Sequence, residues 1–148
     1  MANLGLLIFA LVAGALVPLQ LAFNAQLGGI TKNAFSASLI VFLVGTVALS
    51  LILLAMRPQL PSFEQLSAAP KTIWLGGLIA TFYILAVVVI TPRLGVGLTV
   101  ALILVGQLFT GLLLDHLGAF GNPQHSFTLF RAAGLSMMIG GIFFITKY

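Results

Sequence analysis

The chain is 148 residues long, 61% of them hydrophobic and only 5% charged, with a mean hydropathy of +1.24. Because water cannot cover so much contiguous apolar surface, this composition excludes a soluble globular domain and predicts an integral membrane protein. The net charge of +4 comes from single basic residues at segment ends, which argues against nucleic acid as a partner. With no cysteine and only two histidines, we expect no disulfide, no metal site and no cofactor.

Five apolar segments predict five transmembrane helices, so we expect residues 1–148 to form a single all-α transmembrane domain in contact with the lipid bilayer. At a rise of ~1.5 Å per residue, about 20 residues cross the ~30 Å hydrocarbon core. The predicted spans are residues 3–26, 34–56, 73–91, 95–114 and a fifth from near Phe127 or Arg131 to 146. Residues 28–33 are predicted to form the first turn, and Thr91-Pro92-Arg93 is predicted to end the third helix.

The six basic residues divide evenly between the two membrane faces. Arg57, Lys71 and Arg131 fall on the face of the N-terminus, and Lys32, Arg93 and Lys147 fall on the opposite face. The positive-inside rule therefore has no asymmetry to act on, which predicts dual topology. An inverted second copy would supply the inverted repeat typical of secondary transporters, so we expect an antiparallel homodimer. Sorting by loop length or by the N-terminal amine is the alternative.

The first segment carries a proline and amide side chains inside its apolar run. Pro18 leaves the carbonyl of Gly14 without its helical donor, and Gln20 and Asn24, four residues apart, share a helix face. Hydrocarbon cannot satisfy amides, so we predict that Gln20 and Asn24 bind substrate, with Phe23 as a neighbouring ring. In the alternative interpretation the amides only hold helices together, for about 0.6–2 kcal/mol.

Gln107, in the fourth segment, is the deepest amide of the predicted spans. Thr110 shares its helix face, and Gly106 leaves space beside it. Inverting a second copy would bring its Gln107 near the depth of Gln20. The sequence therefore predicts a composite, amide-lined substrate site at the dimer interface. No Asp or Glu lies in the middle of a predicted span, which disfavours a lipophilic cation and favours a polar neutral, zwitterionic or weakly anionic solute.

Asp115 and His116 end the fourth segment, on the same side as Arg131. An acid beside an imidazole can carry protons near neutral pH, so we predict possible proton or ion coupling there, with Arg131 as an ion-pair partner. The alternatives are a solvated helix end and, for Arg131, a snorkelling anchor.

Small residues predict the packing faces. Gly134 and Gly141 are seven residues apart, so they share one face of the fifth segment, as a dimerisation helix requires. Further close helix contacts are predicted by small-x-x-x-small patterns, which are Ala10-x-x-x-Gly14, Gly76-x-x-x-Ala80 and Gly77-x-x-x-Thr81. Gly106, beside an amide, is predicted to make another.

Several of these residues together resemble the YdcZ-type family of the drug/metabolite transporter superfamily. They are Gln20-x-x-x-Asn24-Ala25, Trp74-x-Gly76-Gly77, Gly106-Gln107 and Asp115-His116-x-Gly118. The resemblance covers the whole chain and implies a five-helix bacterial inner-membrane transporter. The glycines of the fifth segment also resemble the dimerisation helix of small multidrug resistance proteins. Those proteins carry an acidic residue in the first helix, where this chain has amides.

Three functions remain after this comparison. We favour a dimeric, alternating-access transporter of a small polar metabolite or drug-like solute. A dual-topology channel for a small ion is the first alternative, and its turnover in liposomes would far exceed that of a carrier. A non-transporting accessory subunit is the second, and it would co-purify with a larger partner. No nucleophile–base pair or cofactor loop is visible in the sequence, so we expect no enzyme.

Overall fold

The computed structural model describes residues 3–121 and 123–147, and the regular structure of that part of the chain is entirely helical. Its α-helices are α1 Leu4–Thr31, α2 Ala34–Met56, α3 Phe63–Ala68, α4 Leu75–Leu94, α5 Val96–Leu117 and α6 Leu129–Lys147. Short 3₁₀ helices, Lys71–Trp74 and Ala119–Gly121, precede α4 and follow α5. Within the described residues, five helices are long and apolar enough to cross a membrane, which confirms the predicted all-α class with five spans.

The first helix is longer than the sequence predicted. α1 has 28 residues and continues through Gly28 and Gly29, so the prediction of a turn from residue 28 was wrong. The turn consists only of Lys32, at φ 52°, and Asn33, whose side chain accepts the N–H of Ser36 at 3.1 Å and begins α2. At ~1.5 Å per residue α1 is about 42 Å long, so it must tilt or extend beyond the hydrocarbon.

Gly28 is required by close packing rather than by a turn. A Cβ built on Gly28 would lie 2.6 Å from Cγ1 of Val88, so α1 and α4 approach closely at this point. Val88 itself is only 4% exposed. The Gly-Gly pair predicted a turn, but a tertiary contact keeps these residues helical.

Pro92 does not end the third span. α4 continues to Leu94, and the break before α5 occurs at Gly95, which adopts φ 79°. A proline this close to a helix end removes a single backbone bond, so the last turn tolerates it. The Thr99 side chain then donates to the Gly95 carbonyl at 2.7 Å in the first turn of α5.

The polar connection between the second and third spans contains α3, which the sequence analysis missed. Ser62 accepts the N–H of Gln65 at 3.2 Å, and the Gln65 side chain accepts the N–H of Ser62 at 2.9 Å. This reciprocal pair is a capping box, and the Ser-x-x-Gln spacing is its sequence signature.

The contacts of the chain divide it into two compact units. One contains the described residues up to Pro18 and from Leu94 onward, and the other is Leu19–Arg93. In the Leu19–Arg93 unit, one face of each long helix is buried: Leu21 and Asn24 of α1, Ala37 and Ser38 of α2, and Ile84, Val87, Val88 and Thr91 of α4. A single domain over residues 1–148 stays a prediction.

Candidate functional site

A cavity of about 380 Å³ lies between the N-terminal half of α1 and α5, inside one unit. Gln107 lines it from the middle of α5, and Gly14 lines it from α1. The other lining residues are apolar: Ala10, Leu11, Ala15, Val17, Val100, Ile103 and Leu104. The amide of Gln107 is therefore the principal polar side chain of an otherwise apolar chamber.

Gly14, which lines the same chamber, lies one helical turn before a proline. Pro18 lies inside α1 and has no N–H, so the Gly14 carbonyl lacks the donor that a regular helix would provide. No described atom lies within 4 Å of a Cβ built on Gly14, so that side of the helix is open. The side-chain amide of Gln107 both donates and accepts hydrogen bonds, so it can bind an uncharged solute that does the same.

The sequence analysis had assigned Ala10 and Gly14 to helix packing and had paired Gln107 with Gln20 of another copy. Within a single chain, Gly14 and Gln107 line one cavity, and the pairing of Gln107 with Gln20 of a second copy stays a prediction. The signal that could have predicted this arrangement is the spacing of Gly14 and Pro18, because a glycine gives access to the carbonyl that the proline leaves free.

Gln20 and Asn24 share a helix face, as predicted, but their surroundings differ. Asn24 is 6% exposed inside the Leu19–Arg93 unit, whereas Gln20 is exposed on the surface of α1. The Nδ2 group of Asn24 has no hydrogen-bond partner among the described residues, so it does not hold two helices together through that group. Since α1 extends to Thr31, Gln20 lies within ~4 Å of the helix centre. The predicted span of residues 3–26 would have placed Gln20 farther from the centre.

Phe23 and Thr110 are exposed and do not line the cavity beside Gln107. Phe23 is 66% exposed, so in one chain it presents its ring to the surroundings of α1. Their roles in substrate binding, like those of Gln20, Asn24 and Gln107, stay predictions.

Asp115 and Arg131 form an ion pair, which is one of the two roles that the sequence left open for Arg131. Nη1 of Arg131 lies 3.8 Å from Oδ2 of Asp115, and the two side chains are 34% and 43% exposed. The same Nη1 donates to the carbonyl of His125 at 3.5 Å. An ion pair this exposed contributes at most ~1 kcal/mol to stability. Its role in proton or ion coupling stays a prediction.

The loop between α5 and α6 folds back onto the end of α5. The Asp115 carbonyl accepts the N–H of His125 at 2.9 Å, and the His116 carbonyl accepts the side-chain amide of Gln124 at 2.8 Å. Nδ1 of His116 accepts the N–H of Phe127 at 3.2 Å, which requires an imidazole without a proton on Nδ1. Asp115 and His116 therefore anchor this loop, a role that the sequence analysis did not predict.

The glycines predicted at helix contacts have open space beside them. No described atom lies within 4 Å of a Cβ built on Gly76, Gly77, Gly106, Gly134 or Gly141. Gly141 lines a crevice of about 170 Å³ between α5 and α6 of the same chain. Their part in helix packing or dimerisation stays a prediction.

A comparison with known families supplies an identification that agrees with this architecture. A family model described as "Putative inner membrane exporter, YdcZ" matches residues 5–144, which include most or all of each of the five described spans. Comparisons with curated proteins and with solved structures give no significant match. The match covers nearly the whole chain, which therefore belongs to the YdcZ family of the drug/metabolite transporter superfamily and is a multi-pass protein of the inner membrane.

Proposed function

We propose that the chain is a secondary transporter that moves a small polar solute by alternating access across an antiparallel homodimer. The observation that carries this proposal is the chamber of about 380 Å³ that Gln107 and Gly14 line in the middle of a membrane helix pair. Broken backbone hydrogen bonding at the membrane midplane, lining a cavity, is typical of transporter sites. The family membership supports the same function.

The solute is uncharged, zwitterionic or weakly anionic. The described residues that line the chamber include no charged side chain, so a lone cation would lose its hydration there without compensation. The amide of Gln107 can instead satisfy hydroxyl, amide or amino groups of a polar solute. The apolar walls would contact its carbon skeleton.

An antiparallel dimer is supported by the charge balance and by the lack of cover on the described helices. In each described span, no more than 17% of the residues in the 18-residue stretch used to identify it are buried. Lipid can cover part of that surface, but Gln20 and the open glycine faces are better suited to a second protein copy. In the inverted copy, Gln107 would lie near the depth of Gln20, so that amides of two chains would face one substrate.

The test begins with a ligand. Purified protein is screened against metabolites for a rise in melting temperature, since a ligand that binds only the folded state stabilises it by RT ln(1 + [L]/Kd). In proteoliposomes, Gln107→Leu should then abolish uptake of that ligand and its thermal stabilisation while membrane abundance stays unchanged. Gln26→Leu, which removes an exposed amide outside the chamber, is the control and should retain both. Unchanged transport by Gln107→Leu would refute the site.

A further inference from the structure

The Leu19–Arg93 unit contains three polar side-chain atoms that are buried and have no hydrogen-bond partner among the described residues. They are Nδ2 of Asn24, Oγ of Ser38 and Oγ1 of Thr91. These three residues are 6%, 5% and 3% exposed, respectively. Each lies on a different long helix, and each is buried in the interior of the same unit.

The missing bonds distinguish these hydroxyls from others in the chain. Hydroxyls within helices usually donate to the carbonyl four residues earlier, and those of Thr46, Thr81, Thr99 and Ser136 do so at 2.7–2.9 Å. Ser38 and Thr91 have no such bond. A buried polar group left unpaired costs about 1–3 kcal/mol, so these positions favour water or a polar solute as a partner.

The contact between Gly28 and Val88 fixes the relative depth of these groups. α1 and α4 are the first and third spans and therefore cross the membrane in the same direction. From the Gly28 level, Thr91 lies ~4–5 Å toward the end that carries Lys32 and Arg93, and Asn24 lies ~6 Å toward the other end. Ser38, five residues beyond Asn33 on α2, lies at about the Gly28 level.

Ser38 also lies beside a cavity, although its Oγ is itself buried. It lines a cavity of about 320 Å³ between α2 and α4, together with Thr81 and the rings of Phe35 and Phe42. The hydroxyl of Thr81 donates to Gly77 at 2.9 Å, which leaves its oxygen able to accept. No charged side chain is among the described residues that line this cavity. The space can hold water or a small uncharged molecule beside two hydroxyl groups.

We propose that Thr91, Ser38 and Asn24 form a water-accessible polar path into the Leu19–Arg93 unit, from the membrane face of Lys32 and Arg93 toward Gln20. Along the membrane normal, successive polar groups of this path differ in depth by ~5–6 Å. The path admits uncharged solutes with hydroxyl or amide groups, because nothing in it compensates an ion for lost hydration. As a route for substrate, the path rests on the transport function proposed above.

The chain has no cysteine, so single cysteines can report water access without background. Only a thiolate reacts with a methanethiosulfonate, and a thiol facing lipid stays protonated. Ser38→Cys is nearly isosteric, and Ile40→Cys is its control, because Ile40 lies at almost the same depth on α2 but points to the opposite side and is 39% exposed. In proteoliposomes, the hydrophilic reagent 2-sulfonatoethyl methanethiosulfonate should label Ser38→Cys at least about tenfold faster than Ile40→Cys.

Asn24→Cys provides a second, deeper position in case Ser38→Cys fails to fold, and full labelling of each variant in SDS confirms that its thiol is intact. Protection from labelling at both Ser38→Cys and Asn24→Cys would overturn the proposal, and so would equal labelling of Ile40→Cys. The assay requires no substrate. Labelling at Ser38 together with normal transport by Gln107→Leu would keep the path but refute the proposed transport site.

Discussion

Neighbouring glycines in α1 should respond to the same substitution with opposite signs. A Cβ at Gly28 would lie 2.6 Å from Cγ1 of Val88, whereas no described atom lies within 4 Å of a Cβ at Gly29. Val88 cannot easily give way, since it is 4% exposed and a β-branched side chain in a helix has essentially one χ1 rotamer. Gly28→Ala should therefore add an overpacking cost of about 1–3 kcal/mol. Gly29→Ala should gain about 1 kcal/mol of helix propensity.

Both substitutions gain the same propensity, so the difference between them measures the clash, at about 1–3 kcal/mol. Unfolding in mixed micelles with increasing SDS can be followed through the fluorescence of Trp74, the single tryptophan. The double variant Gly28→Ala/Val88→Ala removes the opposing Cγ1 and should be more stable than the sum of the single effects. Equal stability of the two alanine variants, or an additive double variant, would refute the close contact between α1 and α4.

Three further predictions concern the helix ends. His116→Phe should remove the acceptor for the N–H of Phe127 and speed the hydrogen exchange of that amide about fivefold, for a bond of ~1 kcal/mol. His116→Asn keeps an acceptor near the position of Nδ1 and should preserve protection. Equal exchange in the two variants would contradict the bond. Ser62→Ala should cost the short helix α3 about 1 kcal/mol and expose the Gln65 amide to exchange, and an unchanged rate would argue against the capping box. Arg57 ends α2 at φ 46°, so Arg57→Gly should stabilise the protein by about 1 kcal/mol and raise its melting temperature in detergent. A lower melting temperature would contradict the left-handed cap.

The five spans follow directly from hydropathy, because each helix needs only length and an apolar composition to cross the membrane. Their boundaries depend on contacts that a single helix does not reveal. Gly28 signals a turn in isolation, and only the neighbouring Val88 shows why the helix continues through it. Pro92 likewise ends most helices, but in the last turn of α4 it removes a bond that the helix can lose.

The candidate site was predictable in kind but not in arrangement. Amides inside apolar helices drew attention to Gln107, which lines a cavity, and to Asn24, which is buried. These helices are apolar on all sides, so no periodicity indicates which face packs inward. For that reason the sequence could not show that Asn24 is buried while Gln20 is exposed, or that Ser38 is a buried hydroxyl without a partner among the described residues.

An antiparallel homodimer requires copies of this one chain to occupy the membrane in both orientations. Gln59 lies exposed in the loop between α2 and α3, and Gln59→Cys would be the only thiol of the chain. In intact cells, an impermeant maleimide should label about half of the copies, and permeabilisation should label the remainder, as an antiparallel dimer requires. Labelling of all copies, or of none, before permeabilisation would contradict the antiparallel dimer.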